Sequence, residues 1–350
     1  MLAQQEVELG AQVGGEGLRG RRACDSGRRS GTGAGDERRR EEDERASSQT
    51  AAILAVAYHF RALPEWLLVD GSSMFFRAFY AIPQTMRGPG GTLVNAVRGT
   101  LDTLARYVTD RRPRHLAFTT DEDWRPDWRV ELIPGYKEHR TAEPIPPALI
   151  PQVPIILSAL NAVGVDVVGL EGYEAEDIVA SLAAKVKTPI EIASGDRDLF
   201  SLVRGTDIVV LYPQKGGMVV VDEAEVARRY SIPGRSYADY AILRGDPSDG
   251  LPGIAGVGDK KAAELVTRHG SVAKMLEAGV FRNANAEYLE KALRVVPPVQ
   301  DLRIEVPRGR RDTYPEDPKA VEQLGKKYGV DSSLERLVTA LNKLPALTKT

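Results

Sequence analysis

Trp66-Leu67-Leu68-Val69-Asp70-Gly71 is an unbroken apolar run that ends in an acid and a glycine. A run of this kind reads as a buried strand followed by a tight turn, and it opens the folded part of the chain. Working outward, His115-Leu116-Ala117-Phe118-Thr119-Thr120-Asp121 predicts a second strand with an acid at its end. Residues 166–169 predict a third, and 190–193 a fourth that stops at Ser194-Gly195-Asp196. Helical patterns fall between them, over 93–108 with Pro113 closing the element, over 148–163 and over 175–187. Residues 208–212 and 218–221 predict a hairpin around Lys215-Gly216-Gly217, and from about Glu223 the pattern is helical throughout. Alternating strand and helix, then helices alone, predicts an α/β fold. A mostly parallel sheet is flanked by helices and followed by a helical C-terminal subdomain.

The stretch before this run is different. Residues 1–62 are rich in Gly, Arg, Glu and Ser, with the mixed charge block Arg38-Arg39-Arg40-Glu41-Glu42-Asp43-Glu44-Arg45. Too few apolar groups are present to offset ordering entropy, so a disordered extension is expected, with a short helix over 50–62. The expected division is therefore 1–62 as a tail, 63–235 as the α/β core and 236–345 as the helical subdomain.

Composition narrows the chemistry. The chain has 350 residues and a net charge of −2, so overall basicity does not announce a nucleic-acid binder. One cysteine, Cys24, excludes an internal disulfide and a cysteine zinc cluster, and the four histidines (His59, His115, His139, His269) lack metal-ligand spacing. No run of about 18 apolar residues is present, so no membrane span is expected. Any metal must be held by carboxylates.

The acids fall where such a site would need them. Asp70 and Asp121 follow the first two strands; Glu174, Glu176 and Asp177 open a helix after the third; Asp196 and Asp198 follow the fourth. Asp246 and Asp249 lie in Gly245-Asp246-Pro247-Ser248-Asp249-Gly250. A single Asp after a strand is commonly a helix cap or turn former. Acids recurring at successive strand ends are another matter, because in an open parallel sheet these ends share one edge where ligands bind. Like charges so close would have to protonate unless a cation joined them. Oxygen-only ligation suits Mg²⁺ or Mn²⁺. Two such ions about 4 Å apart can activate water and stabilise the leaving oxygen of a phosphodiester.

Leu68-Val69-Asp70-Gly71 with Arg77-Ala78-Phe79, Gly135-Tyr136-Lys137-Glu138-His139-Arg140 and Gly172-Tyr173-Glu174-Ala175-Glu176-Asp177 follow one another along the chain. Ser194-Gly195-Asp196-Arg197-Asp198-Leu199 and the stretch from Gly245 through Gly253, Gly256 and Gly258 complete the series. Taken together, from about 66 to 340, these motifs resemble the bacterial 5′-nuclease and flap endonuclease family, including the 5′-nuclease domain of DNA polymerase I. The resemblance implies a PIN-like, resolvase-like core, a helical arch around 125–150 and a helix-hairpin-helix in the C-terminal part. It implies a structure-specific 5′-3′ exonuclease or flap endonuclease with a two-metal mechanism, acting in replication and repair. Asp70, Asp121, Glu174, Glu176, Asp177, Asp196, Asp198 and Asp249 would form the metal cluster, with Asp246 nearby. Two departures stand out: Glu176 replaces the family's usual Asp, and Asp121 comes after Thr119-Thr120, so Asp123 competes for its place.

By the same resemblance Lys137 and Arg140 would stabilise the scissile phosphate from the base of the arch, Arg77 would join them, and Tyr136 would stack on a base. Gly253, Gly256 and Gly258 precede a helical pattern that carries Lys260 and Lys261. A helix N-terminus of this sort offers backbone N–H groups to a phosphate, and the family binds a monovalent cation at this element. The partner implied is DNA with 5′ flaps, nicks or branches, or with RNA primers. The protein is expected to be a monomer, cytoplasmic and nucleoid-associated, working beside a separate DNA polymerase. Rival readings fit less well. A haloacid-dehalogenase-like phosphatase needs an acid where Ser72 stands. A PIN-like ribonuclease leaves the helix-hairpin-helix unexplained, and a non-catalytic DNA-binding module would have lost its acids or Lys137.

Overall fold

The computed structural model describes residues 63–142, 145–215 and 217–346. The expected N-terminal tail and the helix at its end lie outside the described residues, as do Gly216 and positions 143 and 144 of the expected arch.

The chain runs β1 (Trp66–Asp70), α1 (Gly71–Ala81), α2 (Asn95–Arg111), β2 (His115–Thr119), α3 (Asp127–Leu132), α4 (His139–Ala142), α5 (Gln152–Val163), β3 (Asp166–Val168), α6 (Ala175–Ala183), β4 (Ile190–Ala193), β5 (Ile208–Gln214), β6 (Gly217–Val221) and α7 (Glu223–Tyr230). Then come α8 (Tyr237–Arg244), α9 (Asp259–His269), α10 (Val272–Glu277), α11 (Ala284–Val295), α12 (Pro318–Tyr328) and α13 (Asp331–Asn342). The six strands form one sheet in the order β3-β2-β1-β4-β5-β6. All neighbours are parallel except β5 and β6, which pair antiparallel as the expected hairpin.

β1 lies inside the sheet with both faces covered, and all five of its residues are buried. This explains its unbroken apolar run, since a strand covered on both faces has no polar side. Alternate residues separate two cores. Leu68 packs with Ile178, Leu182, Ile192 and Phe200 on one face, while Leu67 and Val69 pack with Leu101, Leu104, Phe118 and Leu160 on the other. Gly71 is needed immediately after Asp70, because a Cβ there would lie 2.4 Å from the Thr119 carbonyl oxygen.

From β1 the chain proceeds through β2 and β3 to one side, then crosses to β4 and β5 on the other. The crevice between the ends of β1 and β4 is thus a topological switch point, where open α/β sheets bind ligands.

Two expectations need correcting. Residues 236–345 do not pack as a single helical group. Leu289 and Val295 of α11 join the core that holds Leu68, whereas Leu334, Leu337 and Leu341 of α13 join Leu101 and Leu104 on the opposite face. The reason is the apolar stripe of α13, which covers α2; each buried leucine contributes roughly 1.5–3 kcal/mol by area. The second strand also stops at Thr119 rather than Asp121, although Thr120 still donates to the Val168 carbonyl at 3.0 Å.

Candidate active site

Asp70 ends β1 and caps α1, its Oδ1 accepting from the Ser73 N–H at 3.0 Å. Its Oδ2 accepts from the Ser194 hydroxyl at 2.5 Å, and Ser194 Oγ in turn accepts from the Asp196 N–H at 2.9 Å. A single serine therefore links the ends of β1 and β4. Asp121, just past β2, accepts from the Ala175 N–H at 2.7 Å, and its own N–H donates to Ser72 at 3.2 Å. Asp121 is thus brought beside α6 and α1. The Asp123 carboxylate makes only a local bond, its Oδ1 accepting from the Arg125 N–H at 3.0 Å.

Glu176, Asp196 and Asp198 each offer an oxygen to a common point, and these oxygens lie within 4.8 Å of one another. Burial is the first cause of their electrostatics, and mutual repulsion the second. Asp70 is pushed up to about 7, by burial and then by Asp121. Asp121 is pushed up to about 6, by burial and then by Glu174. Burial with Asp196 raises Glu176 and Asp198 well above the ordinary carboxylate range, and burial with Asp249 raises Asp196. These acids resist being charged together in so confined a space, and hard oxygen donors are what a divalent cation takes. The donor set fits such an ion.

The other expected acids have protein partners. Glu174 Oε1 accepts from Arg129 at 2.9 Å and from the Tyr136 hydroxyl at 2.7 Å, and its Oε2 pairs with Lys137. Asp249 accepts from Arg140 at 3.0 Å. Asp246 accepts from the Ser248 N–H at 2.9 Å, with Arg197 and Arg244 each 3.7 Å away. Asp177 requires a correction. Its Oδ1 accepts from Arg129 and the Val299 N–H, both at 2.8 Å, and its Oδ2 accepts from Arg129 at 3.1 Å and the Glu174 N–H at 3.2 Å. Four N–H donors use up its lone pairs, so Asp177 is an internal counter-ion.

Among the cations, Lys137 is buried beside Glu174. Burial works against its charge, but Glu174 and then Asp249 more than offset this and raise its pKa. Arg140 reaches the Ser248 carbonyl at 2.9 Å as well as Asp249. Arg77 is exposed on α1, its Cδ 3.8 Å from where a Cβ of Gly195 would stand. Tyr136 is the second correction. It is 1% exposed, with its hydroxyl on Glu174, and cannot stack on a base from there.

Further along, Gly253 has φ +66° and packs so tightly on the turn after α8 that a Cβ would lie 2.5 Å from the Arg244 carbonyl carbon. Gly256 and Gly258 face open space, and Gly258 caps α9 without a side-chain bond. Lys260 and Lys261 are exposed on the first turn of α9.

Comparisons with known proteins give the family. Residues 65–231 match the 5′-3′ exonuclease N-terminal resolvase-like domain, and 232–302 match the 5′-3′ exonuclease C-terminal SAM fold. A 5′-3′ exonuclease of Streptomyces coelicolor is 42% identical over 308 residues, 79% of this chain and 99% of that protein. The chain belongs to the 5′-3′ exonuclease family.

The exonuclease also resembles part of DNA polymerase I of Mycobacterium bovis, 38% identical over 223 residues, which span 62% of this chain and 24% of the polymerase. Its fold is similar to that of the T5 D15 protein co-crystallized with metal ions, with a TM-score of 0.55 at 15% identity over 79% of this chain and 99% of the other. As a 5′-3′ exonuclease it is an enzyme, a nuclease that hydrolyses nucleic-acid backbone. No helix among the described residues is long and apolar enough to cross a membrane.

Reading the sequence missed Arg129, Ser194 and Ser73. Arg129 is 0% exposed and lies within 3.7 Å of Glu174, Glu176 and Asp177 alike. It lies in the expected arch around 125–150, where only Tyr136, Lys137 and Arg140 carried a role. The one available signal was indirect, since three acids at the start of a buried helix require a cation from somewhere.

Proposed function

We propose that this exonuclease cuts DNA at 5′ flaps, nicks and branches, and RNA primers in the same setting, at the acids gathered where β1 and β4 end. Glu176, Asp196 and Asp198, with Asp70 and Asp121 beside them, would hold two Mg²⁺ or Mn²⁺ ions, and Glu174 and Asp249 flank them. Bound there, the ions supply an activated water and charge stabilisation on the leaving oxygen. The observation that carries the reading is the gathering of these mutually repelling carboxylates, buried or half-buried, from separate segments at one sheet edge.

The chain's own residues would do the rest. Lys137 and Arg140 bring positive charge to the rim of the acids, where it can stabilise charge growing on a phosphate in the transition state. Arg77, exposed next to Gly195, can grip the phosphate beside the cut. The N-terminus of α9, with Lys260 and Lys261, would hold duplex backbone, and such contacts position DNA without reading its sequence. The Gly253–Gly258 turn would take a monovalent cation through its carbonyls. We assign the protein as a monomer of the cytoplasmic nucleoid that serves a separate DNA polymerase.

The test is cleavage of a 5′-labelled flap duplex in Mg²⁺ by wild type, Asp196→Ala and Lys137→Ala. Asp196→Ala should stop cutting while flap binding in Ca²⁺ persists. Lys137→Ala should slow turnover by roughly 10²–10³-fold. Equal rates for all three would overturn the proposal.

A further inference from the structure

Arg129 is among the largest side chains buried completely in the molecule, and burying a guanidinium is expensive unless every charge and N–H is met. Here four bonds come from three residues on two segments. Nη1 and Nη2 make the paired bonds to Asp177, Nη1 also reaches Glu174, and Nε donates to the Val295 carbonyl at 3.1 Å. Val295 is the last residue of α11. Asp177 completes the circuit by accepting from the Val299 N–H at 2.8 Å. Farther along α6 the Ser181 hydroxyl donates to the Val299 carbonyl at 2.7 Å, and just past its end Lys185 donates to the Leu302 carbonyl at 2.6 Å. The rings of Trp128 and Tyr136 lie 4.7 and 5.6 Å from the guanidinium carbon.

We infer that Arg129 and Asp177 form a positioning pair that orients the Glu174–Glu176 turn and fastens the end of α11 to it, touching neither metal nor DNA. The inference rests on the proposed site and adds residues that site did not include. Glu174 and Asp177 share the buried cation, while the carboxylate of Glu176 is 3.7 Å from the nearest guanidinium nitrogen and faces Asp196 and Asp198. Fastening α11 to the same turn makes the helical part and the acid cluster move as one body. A lysine could keep the charge but could not bridge two carboxylates and a carbonyl at once, because it lacks the planar fork.

The experiment is a double-mutant cycle of Arg129→Met, Asp177→Asn and the pair, with Arg129→Lys as a milder variant should Arg129→Met fold poorly. Three readouts are taken: melting temperature in EDTA, flap affinity in Ca²⁺ across several salt concentrations, and flap turnover in Mg²⁺. In EDTA, Arg129→Met should melt well below wild type, and adding Asp177→Asn should restore part of the loss. Flap affinity should stay within about threefold with an unchanged salt slope, since no phosphate contact is removed. Turnover should fall about 10–100-fold, as for other groups that orient metal ligands, and the double variant should be no worse than the poorer single. Arg129→Lys should fall between wild type and Arg129→Met.

A salt slope lowered by about one would make Arg129 a phosphate contact and overturn the inference. So would turnover losses that multiply, which would give Asp177 an independent task such as metal ligation, or unchanged turnover in folded Arg129→Met. Failure of wild type to cut the flap would instead count against the proposed function, and the melting cycle in EDTA would still decide the pairing.

Discussion

Lys137 and Asp249 meet through their backbones: the Lys137 N–H donates to the Asp249 carbonyl at 2.9 Å, while Lys137 itself sits at φ +48°. A lysine is rarely found in that left-handed region. The turn carrying Asp249 therefore fixes the backbone that carries the candidate catalytic ammonium.

Gly250 is the residue that permits this contact. Its φ is +69°, and a Cβ would lie 2.1 Å from the Gly135 carbonyl oxygen. Gly250→Ala should push Lys137 away from the acids and lower turnover by about tenfold to a hundredfold. Gly135→Ala is the control, because its Cβ would meet the Gly250 oxygen at an ordinary 3.5 Å. Single-turnover cleavage by the two variants checks this, and equal effects would contradict it.

Tyr136→Phe separates two roles for the same ring. The variant keeps the aromatic face and loses only the hydroxyl on Glu174. Turnover should drop by up to about tenfold with flap affinity unchanged, since the ring is buried and the lost bond orients a carboxylate. Normal turnover would show that the hydroxyl is idle.

The raised carboxylates give the metal-free protein a pH dependence of definite sign. The Asp70 carboxyl moves from 3.8 to about 7 on folding and that of Asp121 to about 6. Between these values the folded state binds more protons than the unfolded state, so stability falls as pH rises. In EDTA the melting temperature should decline from about pH 4 to 7, by a few degrees for each kcal/mol lost. Millimolar Mn²⁺ should reverse the decline, because the charged acids then have a cation. Calorimetry at several pH values checks this; a melting temperature that rises over the window would contradict it.

Lys260→Ala and Lys261→Ala should weaken duplex binding, lowering the salt slope by about 0.9 for each lysine that holds a phosphate. Turnover at saturating DNA should be unchanged, because these side chains sit on α9 rather than among the acids. Binding titrations from low to moderate salt provide the measurement.

The sheet was legible in the sequence because its central strands are covered on both faces, so Leu67, Leu68 and Val69 read as one apolar run. The acids were legible for a related reason: parallel strands deliver their C-terminal ends to one edge, so Asp70 and Asp196 had to meet. Which acids face the cation and which face the protein was not legible. Glu176 and Asp177 are adjacent in sequence, yet one turns toward Asp196 and the other toward Arg129. That choice depends on a guanidinium from α3 and a backbone N–H from Val299, neither of which any local pattern marks. The packing of α13 on α2 was hidden likewise, since an apolar stripe records that a helix is covered but not by what.

Anomalous diffraction from Mn²⁺-soaked crystals tests the metal assignment most directly. A manganese peak should appear coordinated by Glu176, Asp196 and Asp198, with a second beside Asp70 and Asp121, and the first should vanish in Asp196→Ala. No peak within ligand distance of these oxygens at saturating Mn²⁺, or one held by Asp177, would contradict it.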